Sequence, residues 1–235
     1  MDASVPTGAA LLLDFIGRTE APHGYDTVYG NNQRKLKKPL TSMTLGAIVD
    51  AQKSWSKNFG SSAAGRYQFM RATLQGLAKE LSLSGSQLFN GDFQDRLAFH
   101  LLKRRGYQEY MAGKITAIEF GRRLAQEWAS FPVLADCQGA HRPVKRGQSF
   151  YAGDGLNKSL ITPEQVEAVL MKVRKAPDAP QKPAESVQPS EPPIVAPKPE
   201  VVSAPVPVPP AAAPSGIGAF IKAVLSFFAS FLKRK

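Results

Sequence analysis

The sequence predicts a mainly α domain, α+β in the broad sense, carrying one small β-hairpin. Three observations lead there. Apolar residues recur at three- and four-residue steps in segment after segment, as on the buried face of a helix. A strand-like run appears only at Thr27-Val28-Tyr29. Thirteen of the 19 prolines fall between Pro177 and Pro214. That skew divides the chain into a folded domain (1–175), a Pro-rich linker (176–215) and a tail (216–235). Domain and tail carry net charges of +9 and +4, and the linker −2. A polyanionic partner is therefore expected for the basic parts.

Helix signals punctuate the domain in order. Ser4 and Pro6 suit a helix start, with a capping hydroxyl and a proline where a missing N–H costs little. Ala9 to Gly17 continues the pattern, and Pro22 ends it by pushing the residue before it out of the helical region, so a helix over 6–20 is predicted. Residues 23–43 are rich in Gly, Asn and Lys, which suits a loop containing the hairpin. The cluster Arg34-Lys35-Leu36-Lys37-Lys38 reads as a solvated basic loop or as a contact for polyanion.

Thr44 opens a helix through Trp55. A small-residue loop from Gly60 then runs into a helix marked by Phe69, Leu74, Leu77, Ala78 and Leu81. Another, over 92–105, buries Phe93, Leu97 and Leu101 and stops at Gly106, with Lys103, Arg104 and Arg105 in its last turn. Thr116-Ala117-Ile118-Glu119 has capping-box spacing and starts a helix ending near Trp128. Residues 131–158 read as irregular. Thr162-Pro163-Glu164-Gln165 opens a last helix to about Lys175.

Several function classes fall away on residue counts. The lone Cys137 excludes an intrachain disulfide. His23, His100 and His141 show no ligand spacing, so no metal and no other cofactor is expected. No basic n-region precedes Leu11-Leu12-Leu13, so synthesis in a cytoplasm without a signal peptide is the expectation.

Glu20 is the candidate for chemistry. It ends an apolar helix just before a loop, a setting that raises the pKa of a carboxyl and suits a general acid for glycoside cleavage. It also reads as a solvated acid on a last turn. Asp14 lies roughly 240° round the helix and faces elsewhere. Asp26 is the nearest second acid, unless it serves to fix its own loop. Glu127 is a rival carboxylate of lower rank, because mid-helix acids are usually solvated.

Thr19-Glu20 with Gly24-Tyr25-Asp26, then Ser62-Ala63-Ala64-Gly65-Arg66-Tyr67-Gln68, then Trp128-Ala129-Ser130-Phe131-Pro132, resemble in that order the phage lambda-type endolysins, which are lysozyme-fold lytic transglycosylases. Tyr151-Ala152-Gly153-Asp154-Gly155 extends the likeness, which covers most of 8–160 and departs from it in a longer segment at 44–58. The resemblance implies a lysozyme-like catalytic domain in which Glu20 is the catalytic acid. It implies that Tyr25, Asp26, Arg66, Tyr67, Gln68 and Trp128 hold the sugar chain, and that the substrate is the peptidoglycan glycan strand of the periplasmic wall. It also implies cleavage between N-acetylmuramic acid and N-acetylglucosamine to a 1,6-anhydro product, by a monomer that needs no nucleic acid. From the residues alone Tyr67 and Trp128 serve equally as core aromatics. A hydrolytic muramidase using Asp26, or a non-catalytic peptidoglycan- or polyanion-binding module, remains as an alternative.

The linker lacks bulky apolar surface and favours an extended polyproline spacer. In the tail Lys222, Ser226 and Ser230 form one polar stripe, while Phe220, Ile221, Leu225 and Phe228 lie on the apolar remainder. The opening Gly216-Ile217-Gly218-Ala219 and the closing Lys233-Arg234-Lys235 resemble melittin-type lytic peptides. An interfacial helix on an anionic membrane or lipopolysaccharide, a marginal membrane anchor, or a helix docked on the domain are the three expectations.

Overall fold

The computed structural model describes residues 1–177 and 179, and these form a mainly helical body with one two-stranded antiparallel sheet. The fold class is as the sequence predicts. All the tail residues singled out above lie outside the described residues, from Phe220, Ile221, Leu225 and Phe228 to Lys233, Arg234 and Lys235. Among the described residues no helix is long and apolar enough to cross a membrane.

α1 (Thr7–Glu20) is the element that carries Glu20. It buries Ala9, Ala10, Leu12, Leu13 and Ile16, and it packs most heavily on α7 (Pro163–Lys175) and next on α4 (Gly91–Arg104). Its start differs from the expectation at one residue. Pro6 is the cap and makes no side-chain bond, while Ser4 is drawn instead to the Asp2 carboxylate, which accepts from both its amide and its hydroxyl. A neighbouring anion outcompetes the distant helix amides for that hydroxyl. The end is as expected: Ala21, ahead of Pro22, leaves the helix at φ −145°.

Four caps hold the other long helices. Thr44 accepts from Ala47 N–H at the head of α2 (Leu45–Phe59), which occupies the segment where the family resemblance departs and runs four residues past Trp55 to Gly60. Asn90 accepts from Phe93 N–H at 2.9 Å and starts α4. Thr116 accepts from Glu119 N–H at the head of α6 (Ala117–Glu127). The reciprocal half of that box is not made, because the Glu119 carboxylate takes Arg122 and Arg123 one turn on. Thr162 and Gln165 complete both halves of the box on α7. α3 (Arg71–Glu80) buries Leu74 and Leu77, and Phe69 belongs to the loop before it rather than to the helix.

Two elements correct the sequence reading. The 23–43 loop holds no hairpin: it winds through 3-10 turns at Gly24–Asp26, Tyr29–Lys35 and Leu40–Ser42, and Val28 makes a single bridge to Ala64. The hairpin lies in the stretch expected to be irregular, where β1 (Cys137–Gln138) pairs with β2 (Pro143–Val144), Cys137 opposite Val144. The five-residue α5 (Tyr107–Met111) is additional, entered through Gly106 at φ +94°. It presses Tyr110 onto Phe120 of α6, with ring centroids 4.8 Å apart. Between the helices an edge-to-face run of Tyr67, Phe69, Phe89 and Phe93 fills the core under the 60–70 loop.

α7 is the support on which α1 rests. Val166, Leu170 and Val173 are fully buried, and the Tyr110 hydroxyl donates to the Leu170 carbonyl at 2.9 Å. Replacing Leu170 with alanine leaves a cavity between the two helices, and urea denaturation is expected to show a loss of about 2–5 kcal/mol. Thr162→Ala, which removes only the cap, is expected to cost about 1 kcal/mol.

Candidate active site

Glu20 is the last residue of α1 and is half-buried, and among the described residues its carboxyl has one hydrogen-bond partner. Ser130 Oγ donates to its Oε1. Ser130 is itself held in place: it is 8% exposed, its carbonyl accepts from Leu160 N–H at 2.8 Å, and Phe131 beside it packs edge-on to Phe15 of α1. Burial pushes the Glu20 carboxyl from its ordinary 4.5 up to about 7, against a smaller downward pull from the Ser130 hydrogen bond. At neutral pH such a carboxyl is populated in both forms. It can give a proton and take one back, which an ordinary glutamate does poorly.

A second cluster lies across the end of α1, centred on Arg66. Its Nη2 meets Asp14 Oδ1 at 2.7 Å and its Nη1 donates to the Tyr25 hydroxyl at 2.8 Å. Its guanidinium lies 5.0 Å from the Tyr25 ring and 5.9 Å from that of Tyr67. Two glycines permit this approach. A Cβ on Gly17 would stand 2.3 Å from Arg66 Nε, and one on Gly65, at φ +79°, would stand 2.3 Å from Gln94 Oε1. Gln94, fully buried, accepts from Arg66 N–H at 2.8 Å and donates to the carbonyls of Tyr25 and Phe89. Beneath the cluster the Tyr25 and Tyr67 hydroxyls both donate to Asp95. Burial, with the Asp95 carboxylate adding to it, lifts the Tyr25 phenol to about 12 and that of Tyr67 well above its ordinary value. Both therefore stay donors. Arg66, Tyr25, Gly17, Arg18 and Ala21 border a shallow depression of about 140 Å³. Glu20 is outside its wall, on the flank that faces Ser130.

The remaining sequence candidates fall into different places. Gln68 is partly exposed and held at φ +48°, with its amide donating to the Gly65 carbonyl at 2.8 Å; a left-handed non-glycine of this kind marks a loop under constraint. Tyr67 (1% exposed) and Trp128 (4%) sit in the core, where the indole N–H donates to the Tyr67 carbonyl. They support the loop from below. Asp26 accepts from Thr41 N–H at 2.9 Å and so ties down its own loop, and Glu127 is taken by Arg105 at 2.7 Å.

A model of the Endolysin family matches residues 16–155, more than half of the chain, and takes in Glu20, Arg66, Asp95 and Ser130. The chain belongs to the endolysin family. It is accordingly a phage lytic enzyme that acts on the cell wall. Comparison with curated proteins and with solved structures returns no match.

Four residues of this endolysin domain matter to the site and do not stand out in the sequence. Ser130 lies inside the Trp128–Pro132 motif, but nothing in a single hydroxyl says which carboxyl it will meet. Asp14 faces away from Glu20, as helix geometry requires, yet it meets Arg66. Gln94 and Asp95 do leave a signal: Gln94 stands three and four residues before Leu97 and Ala98, and Asp95 three and seven before Ala98 and Leu102, on the apolar face of α4. A polar pair on that face is either satisfied internally or destabilising.

The raised Glu20 pKa fixes a sign for stability. The folded protein holds the proton through a range in which the unfolded chain has released it, so this contribution is full below about 4.5 and lost as pH rises through about 7. Glu20→Gln is expected to be more stable than the wild type near pH 8, by on the order of 2 kcal/mol, with the gap closing below about pH 5. Paired urea titrations at the two pH values measure this.

Proposed function

We propose that this endolysin cleaves the glycosidic bond between N-acetylmuramic acid and N-acetylglucosamine in peptidoglycan as a lytic transglycosylase, with Glu20 as its one acid and base. The observation that carries the reading is the Glu20 carboxyl, half-buried at a helix end, raised to about 7 and bonded to Ser130. The acids around it support a single-carboxyl mechanism because each is already engaged elsewhere. Asp14 pairs with Arg66, Asp26 with a backbone amide and Glu127 with Arg105.

The Glu20 proton passes to the glycosidic oxygen as the bond from the muramic anomeric carbon to that oxygen breaks, and N-acetylglucosamine leaves with its hydroxyl restored. Glu20, now ionised, takes the proton of the muramic C6 hydroxyl as that oxygen bonds to the anomeric carbon. The 1,6-anhydro ring closes, no water is consumed, and Glu20 is again protonated. Ser130 orients the carboxyl and moderates its pKa. Arg66 and Tyr25, with Gln68 at the loop edge, face the sugar chain across the helix end. The domain works as a monomer on the periplasmic wall after synthesis in the host cytoplasm. The tail, by its amphipathic sequence and terminal cations, engages the anionic membrane or lipopolysaccharide.

Glu20→Gln keeps the shape and loses the proton, so wall clearing is expected to fall by on the order of 10²–10⁴-fold with the fold intact; full activity in this variant overturns the reading. Mass spectrometry of the released muropeptides is expected to show anhydro-muramic ends. Reducing ends would make the enzyme a hydrolytic muramidase. Deleting 216–235 should spare activity on purified peptidoglycan and weaken attack on intact cells, and undiminished killing would remove the tail from the mechanism.

A further inference from the structure

The mechanism leaves the fully buried carboxylate of α4 unused. Asp95 is fully buried on α4, 75 residues along the chain from Glu20, yet three hydrogen-bond donors from three parts of the molecule converge on it. Oδ1 accepts from the Tyr67 hydroxyl at 2.6 Å, and the Tyr25 hydroxyl lies between the two oxygens, 2.9 Å from Oδ1 and 3.0 Å from Oδ2. Oδ2 accepts from Asp2 N–H at 2.8 Å, with the Met1 amino group 3.6 Å away. Each of these partners donates, and the carboxylate oxygens are the acceptors on which they meet.

The directions of these bonds matter more than their number. The Tyr25 oxygen accepts from Arg66 Nη1, so its own proton must go elsewhere, and Asp95 is where it goes. A continuous polarised chain results: Arg66 donates to Tyr25, and Tyr25 donates to Asp95. The other end of the same guanidinium is on Asp14, one and a half turns ahead of Glu20 on α1. Asp95 thus fixes which way the Tyr25 hydroxyl points, and through it where Arg66 stands against the helix that carries Glu20.

We infer that Asp95 is a positioning residue for substrate: from the core it holds Tyr25 and Arg66 in the arrangement that receives the glycan strand, without touching the reacting atoms. The inference rests on the reading of this cleft as the glycan site. Asparagine at this position keeps the volume but replaces one acceptor oxygen with a donor. Whichever way the amide turns, one of the two oxygens that receive the Tyr25 hydroxyl is replaced by a donor, which also confronts either the Asp2 amide or the Tyr67 phenol. The Tyr25 hydroxyl is then held by one acceptor instead of two, while Glu20 and Ser130 are undisturbed.

The test is a comparison of turnover and half-saturating peptidoglycan concentration for the wild type, Asp95→Asn, Tyr25→Phe and the double variant. Asp95→Asn and Tyr25→Phe are each expected to raise the half-saturating concentration by about tenfold and to change turnover by less than about threefold. The double variant should be no worse than the poorer single one, since both break one chain. The upper limb of the pH–rate profile, set by Glu20, should not move. Should circular dichroism show Asp95→Asn unfolded, Tyr67→Phe decides, because it removes a donor that holds Asp95 and touches no group facing the sugar. An unchanged half-saturating concentration in a folded variant, or effects that multiply in the double variant, overturns the inference. Pelleting with insoluble peptidoglycan, in a Glu20→Gln background, separates the two claims. Weakened pelleting with Asp95→Asn upholds the positioning role whatever Glu20 does, whereas an active Glu20→Gln enzyme sinks the catalytic reading alone.

Discussion

The seating of α1 is the constraint on which the rest depends. A carboxyl can be held near neutrality only if its backbone cannot swing it into water, and Glu20 is the last residue of its helix, where fraying is ordinarily greatest. The structure removes that freedom from both sides. Leu12, Leu13 and Ile16 are locked into a core shared with α7 and α4, Phe15 meets Phe131 edge-on, and Ala21 still donates to Gly17 before Pro22 turns the chain away. What is left for Glu20 is one direction, and Ser130 stands in it. The family match begins at residue 16 and ends at 155. The first turns of α1 and the whole of α7 lie outside that span, whereas Ile16, α4, Ser130 and Phe131 lie within it, so the seat of the carboxyl is built from both.

Around that fixed point the molecule sets two electrostatic environments a short distance apart. On the Ser130 side burial acts nearly alone, with no cation among the described residues bonded to the carboxyl, and the neutral acid is favoured. On the Arg66 side every charge has a counter-charge or a directed donor: Asp14 against the guanidinium, the Tyr25 phenol between guanidinium and Asp95, and the Tyr67 phenol on Asp95 from below. Had Arg66 reached Glu20 instead of Asp14, it would have held that carboxyl ionised and useless as an acid. Arg66 instead crosses the helix at Gly17 and ends on Asp14 at 2.7 Å.

How much of the fold and site is legible in the sequence follows the range of the forces involved. The caps at Thr44, Thr116 and Thr162 are readable because hydroxyl and amide are three residues apart, and the helix end before Pro22 because the clash is between neighbours. α5 escapes because five residues hold too little periodicity to register, and its entry depends on a positive φ at Gly106 that the sequence allows without requiring. The hairpin is expected at Thr27-Val28-Tyr29, where β propensity is high, and forms at Cys137 to Val144, where it is not. Two-residue strands are set by their surroundings rather than by propensity. Glu20 is legible as an acid at the end of an apolar helix, while its hydroxyl partner 110 residues away is not. Tyr67 and Trp128 show the converse: their chemistry fits a sugar platform, and only burial reveals that they carry the loop from beneath.

The proposed chemistry stands on the protonation state of one side chain. Titration of the Glu20 carboxyl carbon by NMR, assigned by its loss in Glu20→Gln, reads that state without reference to substrate or product. A midpoint near 7 is the predicted result, and a midpoint near the ordinary 4.5 would contradict it.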